Sequence, residues 1–227
     1  MVVSSANTQS FAKLIEYLNC DALDSVSVCD SIPQGKLCVS DRLLISTDIS
    51  WNIYENLLNY LGNSPYFKVI YHQGTLQIIS PSSRHEIYKK MLGMLVENYC
   101  LETGIRFYPL GSTTLKSQDK LKGIEPDQCY CISSKKKIPN LAIEVVITSG
   151  GIQSLEIYQG LGVSEVWFWQ NGKLQVFFLE NSEYLQKNNS QLLPNLDLDL
   201  LVSYLDWDDP FDAIWDFKAK IKEEKIM

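Results

Sequence analysis

The 227-residue sequence is poor in the features that build zinc sites and membrane spans. It has two histidines and six cysteines, with no CxxC pair and no zinc-finger spacing, so we expect no structural zinc site. No apolar run approaches the ~20 residues that cross a bilayer. The first eleven residues lack the charged and apolar regions of a secretory signal. We therefore expect a cytoplasmic protein with free thiols and no membrane contact.

The chain also lacks an excess of basic residues, since 20 lysines and arginines stand against 27 aspartates and glutamates, a net charge of −7. Such a protein binds nucleic acid only through a local basic patch, because phosphates attract nearby Lys and Arg. The composition, 45% hydrophobic and 21% charged, is that of a globular protein and excludes a disordered one. No repeat or low-complexity linker divides the chain. We expect an N-terminal arm over residues 1–40 and one domain over residues 41–227 that includes a helical C-terminal tail.

The hydrophobic pattern alternates between helical and strand periodicity, except before residue 47, where it predicts irregular structure. A capping box from Ser83 to Glu86 predicts the start of a long helix that ends near Gly104. Asn171-Gly172 predicts a tight hairpin. The order of elements indicates an α+β fold with a mixed β-sheet flanked by helices. The predicted helices are 48–61, 83–104, 152–161, 197–205 and 208–222, and the predicted strands are 67–71, 75–79, 105–109, 113–116, 125–132, 141–147, 166–169 and 174–179.

Two acidic residues stand where an ionised carboxylate needs a partner. Glu144 lies within Leu141–Ile147, whose composition predicts a strand buried on both faces, and Asp127 follows Pro126 near the start of the preceding strand. If these strands are neighbours, the carboxylates converge at one end of the sheet and a cation relieves their repulsion. Oxygen ligands favour Mg²⁺ or Mn²⁺, and such an ion can activate water for attack on a phosphoryl group. The alternative is that Glu144 pairs with a lysine or arginine and Asp127 caps a turn.

Several short motifs occur in a fixed order between about residues 41 and 180. They are Ile79-Ser80-Pro81-Ser82, His85 at the start of a helix, Pro126-Asp127, Pro139-Asn140-Leu141 leading to Glu144-Val145, Tyr158, and Gly162-Val163-Ser164-Glu165-Val166-Trp167. Together they resemble the Uma-two family of restriction-endonuclease-like proteins, within the PD-(D/E)XK nuclease superfamily. The resemblance implies a restriction-endonuclease-like mixed sheet flanked by helices, and metal-dependent hydrolysis of DNA phosphodiester bonds.

The resemblance also implies roles for individual residues. Asp127 and Glu144 would be the ligands of Mg²⁺ or Mn²⁺. The catalytic lysine would stand at Val146 in the superfamily, and at Ser154 on the following helix in the family, so this chain lacks the lysine at both positions. His85 would contact a phosphate or orient a metal ligand. The alternative for His85 is a partly exposed histidine in the first turn of its helix.

The predicted function is therefore a metal-dependent endonuclease acting on DNA, slow because Ser154 replaces the lysine. One alternative is a catalytically degraded relative that binds nucleic acid or a protein partner. Another is a structural protein that oligomerises, for example as a homodimer, through the aromatic tail Trp207–Trp215. A group of lysines near the Asp127 strand is a candidate for a phosphate-facing rim, although such runs are also typical of solvated turns. These are Lys116, Lys120, Lys122 and Lys135–Lys137.

Overall fold

The computed structural model describes residues 41–62, 66–147 and 154–226, and the arm predicted over residues 1–40 lies outside them. The described chain forms eleven strands and five helices. The strands are β1 (Arg42–Ser46), β2 (Lys68–His72), β3 (Thr75–Ser80), β4 (Phe107–Pro109), β5 (Leu115–Ser117), β6 (Lys122–Ile124), β7 (Gln128–Ile132), β8 (Leu141–Val146), β9 (Glu165–Gln170), β10 (Lys173–Glu180) and β11 (Glu183–Lys187). The helices are α1 (Trp51–Leu61), α2 (Ser83–Thr103), α3 (Leu155–Leu161), α4 (Leu198–Ser203) and α5 (Pro210–Ile226).

The strands form two sheets. The five-stranded sheet has the order β1-β3-β2-β6-β5 and is antiparallel throughout. The six-stranded sheet has the order β11-β10-β9-β8-β7-β4 and is mixed, because β8 and β9 run parallel with α3 between them in sequence. Parallel neighbours need such a crossover connection. The predicted α+β class, with a mixed sheet flanked by helices, is confirmed.

Strand β8 is the centre of the core and is buried along its whole length. Ile143 and Val145 belong to an apolar cluster with α2 and α5. Ala142 and Val146, which alternate with them, pack with α3 in a second cluster. This two-sided burial is what the apolar run at 141–147 predicts. It leaves Glu144 on the α3 side of the sheet, since side chains alternate along a strand.

The N-cap of helix α2 lies one residue before the capping residue that the sequence predicts. Its N-cap is Ser82, whose side chain accepts a hydrogen bond of 3.2 Å from the His85 amide. The predicted capping box is therefore wrong, and Glu86 instead forms an ion pair with Lys89 at 2.6 Å. The Ser82 amide donates to Asp41, and this hydrogen bond fixes the start of the helix from outside it. The local sequence cannot predict the contact, because Asp41 is 41 positions away in sequence. The helix ends at Thr103, next to the predicted end near Gly104, and Gly104 follows it in the left-handed conformation.

The structure corrects two further predictions. Residues 42–46, predicted to be irregular, form β1 and pair with β3. The strand predicted over residues 125–132 is shorter, because β6 ends at Ile124 in one sheet and β7 begins at Gln128 in the other. Pro126 lies in this crossing, where its missing N–H breaks no ladder. As a result, Asp127 stands where the two sheets meet.

A buried glutamate holds the segment that follows β11. The Glu165 side chain is 0% exposed at the start of β9. It accepts hydrogen bonds from the Trp167 indole at 2.6 Å, the Ser190 hydroxyl at 2.6 Å and the Gln191 amide at 2.7 Å. Buried carboxylates with several donors of this kind are satisfied without a charged partner. Glu165 therefore acts as a structural anchor.

The C-terminal tail forms helices α4 and α5, as predicted. Ala213, Phe217 and Ile221 pack α5 into the core, whereas Phe211 and Trp215 are 70% and 69% exposed. A homodimer through these aromatic side chains stays a prediction. No helix among the described residues is long and apolar enough to cross a bilayer.

Candidate functional site

The site is built around Asp127, at the junction of the two sheets. Gln128 pairs with Ile143 in the β7–β8 ladder, so the preceding Asp127 lies beside Glu144. Asp127 Oδ2 accepts a hydrogen bond of 2.8 Å from the Val145 amide, which fixes the carboxylate against β8. Asp127 and Glu144 are each 4% exposed. The structure thus brings together the two carboxylates that the sequence singles out.

A lysine that no sequence motif singles out lies between these carboxylates. Lys68, the first residue of β2, contacts Asp127 Oδ1 at 3.0 Å and also pairs with Glu144 Oε2. Only 8% of Lys68 is exposed. The alternative in which Glu144 pairs with a lysine therefore describes this structure, although Asp127 shares the lysine and does not merely cap a turn. The available signal was a lysine directly before the apolar run Val69–Tyr71, where a strand enters the core.

His85 contacts the same oxygen of Asp127 as Lys68 does. Its Nε2 lies 3.1 Å from Asp127 Oδ1, and its Nδ1 lies 3.0 Å from Asp41 Oδ2. Asp41 precedes β1 and also accepts from the Ser82 amide at 2.8 Å. The histidine is 2% exposed, so the partly exposed alternative is wrong. Its position follows from the helix start at Ser82, which turns the first residues of α2 towards the sheet junction.

Tyr158 completes the set from the other side of Glu144. Its hydroxyl, on α3, donates to Glu144 Oε1, so both oxygens of Glu144 have a partner. Negative and positive groups then alternate in the order Asp41, His85, Asp127, Lys68 and Glu144. We call these five residues the ionic chain. Buried charges of this kind are tolerated only when opposite charges lie beside them, as they do here.

The ionic chain shifts the pKa of each member. Burial alone lowers the pKa of Lys68, but the charges of Asp127 and Glu144 outweigh it and raise that pKa above its usual value. Burial likewise lowers the pKa of His85, yet hydrogen bonds to Asp127 and Asp41 raise it to about 9. Although burial raises the pKa of Asp127, the charge of Lys68 and the hydrogen bond with His85 hold it well below its usual range. The net result is ionised Asp127, Lys68 and His85 at neutral pH.

Glu144 behaves differently from Asp127. Its burial, helped by the nearby charge of Asp127, raises its pKa above the usual value in spite of the opposing charge of Lys68. Glu144 therefore binds a proton more tightly than Asp127 does, although both carboxylates pair with Lys68. Two neighbouring acids whose pKa values are shifted in opposite directions are typical of functional sites and also occur in structural ion-pair networks.

The positions expected to carry a lysine are apolar or neutral and contain no charge. Val146 is buried in the apolar cluster with α3. Ser154 is the N-cap residue of α3, 7% exposed, and its side chain makes no capping hydrogen bond. Neither residue contributes a charge to the ionic chain. Lys68 is therefore the ammonium group that the described structure places at the two carboxylates.

A cleft of about 810 Å³ opens over this junction. Lys68 and Asp127 form part of its lining, whereas Glu144 lies behind them and is not among the lining residues. Hydroxyl and amine groups that suit phosphate oxygens also face the cleft. They belong to Ser112, Thr113, Thr114, Lys89 and Lys90.

The predicted basic rim does not line this cleft, and that prediction is wrong. Lys116 pairs with Glu55 at 3.0 Å. Lys120 and Lys122 donate to the main-chain oxygens of Gly160 and Glu156. Residues 135–137 are exposed beyond the end of β7 that lies opposite Asp127. Their local charge density suggested a phosphate site, but the strand direction carries that turn away from the carboxylates.

No group of three or more His, Cys, Asp or Glu side chains within the described residues has the arrangement of a metal centre. Glu125, the nearest additional carboxylate in sequence, accepts from the Val69 amide at 3.2 Å and from the Thr114 hydroxyl at 2.9 Å. It is thus held by the five-stranded sheet. Glu125 also lines the cleft, together with Asp127.

Comparison with known families places the geometry in context. A family model described as "Uma2: Putative restriction endonuclease" matches residues 51–208. A search of curated proteins gave no significant match. The matched segment runs from α1 into the loop before α5 and contains four members of the ionic chain, all except Asp41. The chain therefore belongs to the Uma2 family and has the restriction-endonuclease-like fold of that family.

Proposed function

We propose that this protein is an endonuclease that uses Mg²⁺ or Mn²⁺ to hydrolyse DNA phosphodiester bonds. The observation that carries the proposal is the convergence of Asp127 and Glu144 on one cation at the floor of a cleft. Membership of a family of nuclease-like proteins supports the same reaction class. The hydroxyl and amine groups of the cleft provide contacts for phosphate oxygens.

The two carboxylates fit a hard divalent ion. One oxygen of each already points at a shared cation, the ammonium of Lys68. Mg²⁺ is commonly held by one or two carboxylates, and water and substrate phosphates complete its shell. Two protein ligands are therefore sufficient for an ion that is shared with a nucleic acid. When bound, such an ion would polarise the phosphoryl oxygen and make a bound water more acidic.

The residues around the pair have distinct tasks in this proposal. Asp127 and Glu144 would bind the ion, and the Val145 amide keeps Asp127 in place beside β8. His85, oriented by Asp41, adds a second positive charge beside Asp127. Lys89 and Lys90 would bind phosphates along the cleft. The DNA contact would be small, because few lysines face the cleft and the chain carries a net charge of −7.

A second candidate function is binding of nucleic acid without cleavage. The observation that favours it is the ionic chain itself, in which Lys68 already neutralises both carboxylates. The position expected to hold a lysine on α3 is Ser154, which adds no charge to stabilise a developing negative phosphate. A protein of this kind would retain the cleft and lose the chemistry.

Cleavage of supercoiled plasmid in Mn²⁺ separates the two functions. The natural chain should nick the plasmid, and Glu144→Gln should abolish the nicking because it removes one of the two ionic ligands. Glu55→Gln is the matched control, since Glu55 pairs with Lys116 on the surface and does not line the cleft. Folding of all three chains is checked by circular dichroism.

Cleavage that persists in Glu144→Gln, or in excess chelator, would contradict the proposed site. DNA binding by the natural chain without cleavage, at all Mn²⁺ concentrations, would favour the second function. The binding assay is run at several salt concentrations, because the slope of log affinity against log salt counts phosphate contacts at roughly −0.9 per contact. A shallow slope is expected for a cleft with so few lysines.

A further inference from the structure

We propose that Lys68 couples metal binding to nucleic-acid binding: its ammonium holds the place of the divalent ion in the metal-free protein and moves into the cleft when an ion and a phosphate group are both bound. The inference rests on the proposed function, in that Asp127 and Glu144 are taken as the metal ligands. It adds a positioning residue that binds phosphate only after the metal arrives.

The ammonium and a divalent ion cannot share the space between the two carboxylates. Lys68 Nζ contacts Asp127 Oδ1 at 3.0 Å and also contacts Glu144 Oε2. An Mg²⁺ ion bound to the same two oxygens would lie about 2.1 Å from each. The two cations would then be in contact, and their repulsion in a buried site is strong. Binding of the ion therefore requires displacement of the lysine.

Lys68 is the member of this group that can move. Asp127 is held by the Val145 amide and by His85. Glu144 lies within the central strand β8 and accepts from Tyr158. Lys68, by contrast, carries its charge on a flexible four-carbon stem. Lys68 also lines the cleft, whereas Glu144 does not, so its ammonium can turn into the cleft without disturbing either sheet.

The displaced ammonium needs a new counter-charge, and a phosphate in the cleft supplies one. Without DNA, the ion must break two ion pairs of Lys68 and leave the lysine without an anion. With DNA, the same displacement forms a Lys68–phosphate pair beside the bound ion. Metal and nucleic acid should therefore bind cooperatively, and each should raise the affinity of the other by the same factor. The lysine would in this way oppose metal capture by the free protein.

The test measures Mn²⁺ binding directly, through the loss of the free Mn²⁺ signal in electron paramagnetic resonance. The natural chain is titrated with Mn²⁺ alone and then with a phosphorothioate-linked duplex that resists hydrolysis, after subtraction of Mn²⁺ bound by the duplex itself. We expect the duplex to raise the Mn²⁺ affinity of the natural chain about 5- to 150-fold, the usual range of coupling between two sites. In Lys68→Met, the affinity for Mn²⁺ alone should rise by a similar factor, and the effect of the duplex should shrink accordingly.

Two further variants separate charge from other effects. Lys68→Arg retains a cation at the carboxylates and should bind Mn²⁺ alone as weakly as the natural chain. Lys116→Met removes a lysine that pairs with Glu55 outside the cleft and should leave Mn²⁺ binding unchanged. Measurement at about pH 8 limits competition from protons, which are favoured by the raised pKa of Glu144.

The outcomes distinguish the inference from the proposed function. If the natural chain and Lys68→Met bind Mn²⁺ alone equally well, and Glu144→Gln binds none, the coupling is overturned and the metal site stands. If no chain binds Mn²⁺ with or without the duplex, the proposed function fails and the inference fails with it. The natural chain alone also provides a test that requires no variant, because a Mn²⁺ affinity that the duplex leaves unchanged overturns the coupling even if Lys68→Met does not fold.

Discussion

Replacement of Lys68 by methionine should destabilise the metal-free protein by about 3–5 kcal/mol, the usual cost of removing one partner from a buried ion pair. Methionine keeps much of the aliphatic stem, so the change removes the charge with little loss of packing. Two carboxylates that are each 4% exposed would then face one another without the cation between them. A loss of this size is a large fraction of the 5–15 kcal/mol that stabilises a typical domain.

The loss of stability in Lys68→Met should depend on pH, because a protonated Glu144 carries no charge that needs a partner. The pKa of Glu144 is already raised by burial and by Asp127, and loss of the Lys68 charge should raise it further. A raised pKa in the folded state contributes stability at low pH that is lost as pH rises through that pKa. The variant should therefore be closest to the natural chain under acidic conditions, and the difference should widen towards pH 8 or so.

A double-mutant cycle shows whether the effect belongs to the pair. Glu144→Gln alone should also destabilise, because Lys68 then keeps only Asp127 as a partner. The combination Lys68→Met with Glu144→Gln should lose less than the sum of the single changes, by about 0.5–3 kcal/mol, since no buried carboxylate at position 144 remains unpaired. Asp127 still has His85 and the Val145 amide in the double variant.

The free energy of unfolding is measured by urea titration at about pH 8 in excess chelator, with the linear dependence on denaturant. Lys116→Met is the matched control, because its pair with Glu55 is exposed and should be worth less than about 1 kcal/mol. Strict additivity of the two changes, or a loss in Lys68→Met no greater than in this control, would refute the reasoning. Either result would mean that Lys68 is not buried between the two carboxylates in solution.

Three further predictions concern other parts of the structure. The pKa of His85 is raised to about 9, so the histidine should contribute about 3 kcal/mol to the free energy of unfolding below pH 6.5. This contribution should be lost as pH rises through about 9. Urea titrations in excess chelator at several pH values should show the decrease, and His85→Gln should remove it. Glu165→Ala leaves the buried donors of Trp167 and Ser190 unpaired and should lower the free energy of unfolding by at least about 3 kcal/mol. A loss below about 1 kcal/mol, which is typical of surface substitutions, would show that Glu165 is not a structural anchor. Ser154→Lys should raise Mn²⁺-dependent plasmid cleavage most in the Lys68→Met chain, up to about 10²–10³-fold, and an equal gain in the natural chain would show that Lys68 supplies no useful charge.

The central strand and its buried Glu144 could be predicted from the sequence, because both follow from the local residue pattern. Leu141–Val146 is apolar at every position except Glu144, so burial on both faces and the need for a partner could be read directly. Pro126 predicted a strand start near Asp127, and the crossing between sheets occurs there. These features depend on residues within a few positions of each other.

The partners of the acids could not be predicted, because they arrive from distant parts of the chain. Lys68 is 59 residues from Asp127 and 76 from Glu144 in sequence. Asp41 and His85 are in contact although 44 positions separate them in sequence. The weak periodicity of the segment that contains Asp41 predicted irregular structure. Contacts of this range depend on how two sheets dock, which periodicity does not encode.

The same limit explains the error over the basic rim. Lys135–Lys137 are close to Asp127 in sequence, and short spacing suggested a shared surface. A strand of five residues lies between them, however, and carries the turn to the far end of the sheet. Sequence distance is a poor guide to spatial distance whenever an extended strand intervenes, because each residue advances the chain by about 3.3 Å.

The meeting of two sheets at Asp127 also bears on how the protein responds to heat. Asp41 and Lys68 belong to the five-stranded side, whereas Asp127 and Glu144 adjoin the six-stranded side. Separate cooperative units of a protein can open without global unfolding. Partial opening at this seam would dismantle the ionic chain while most backbone hydrogen bonds within each sheet persist. The ionic chain would then be lost at a milder temperature than secondary structure. A ligand that bridges the seam would protect both sheets from hydrogen exchange.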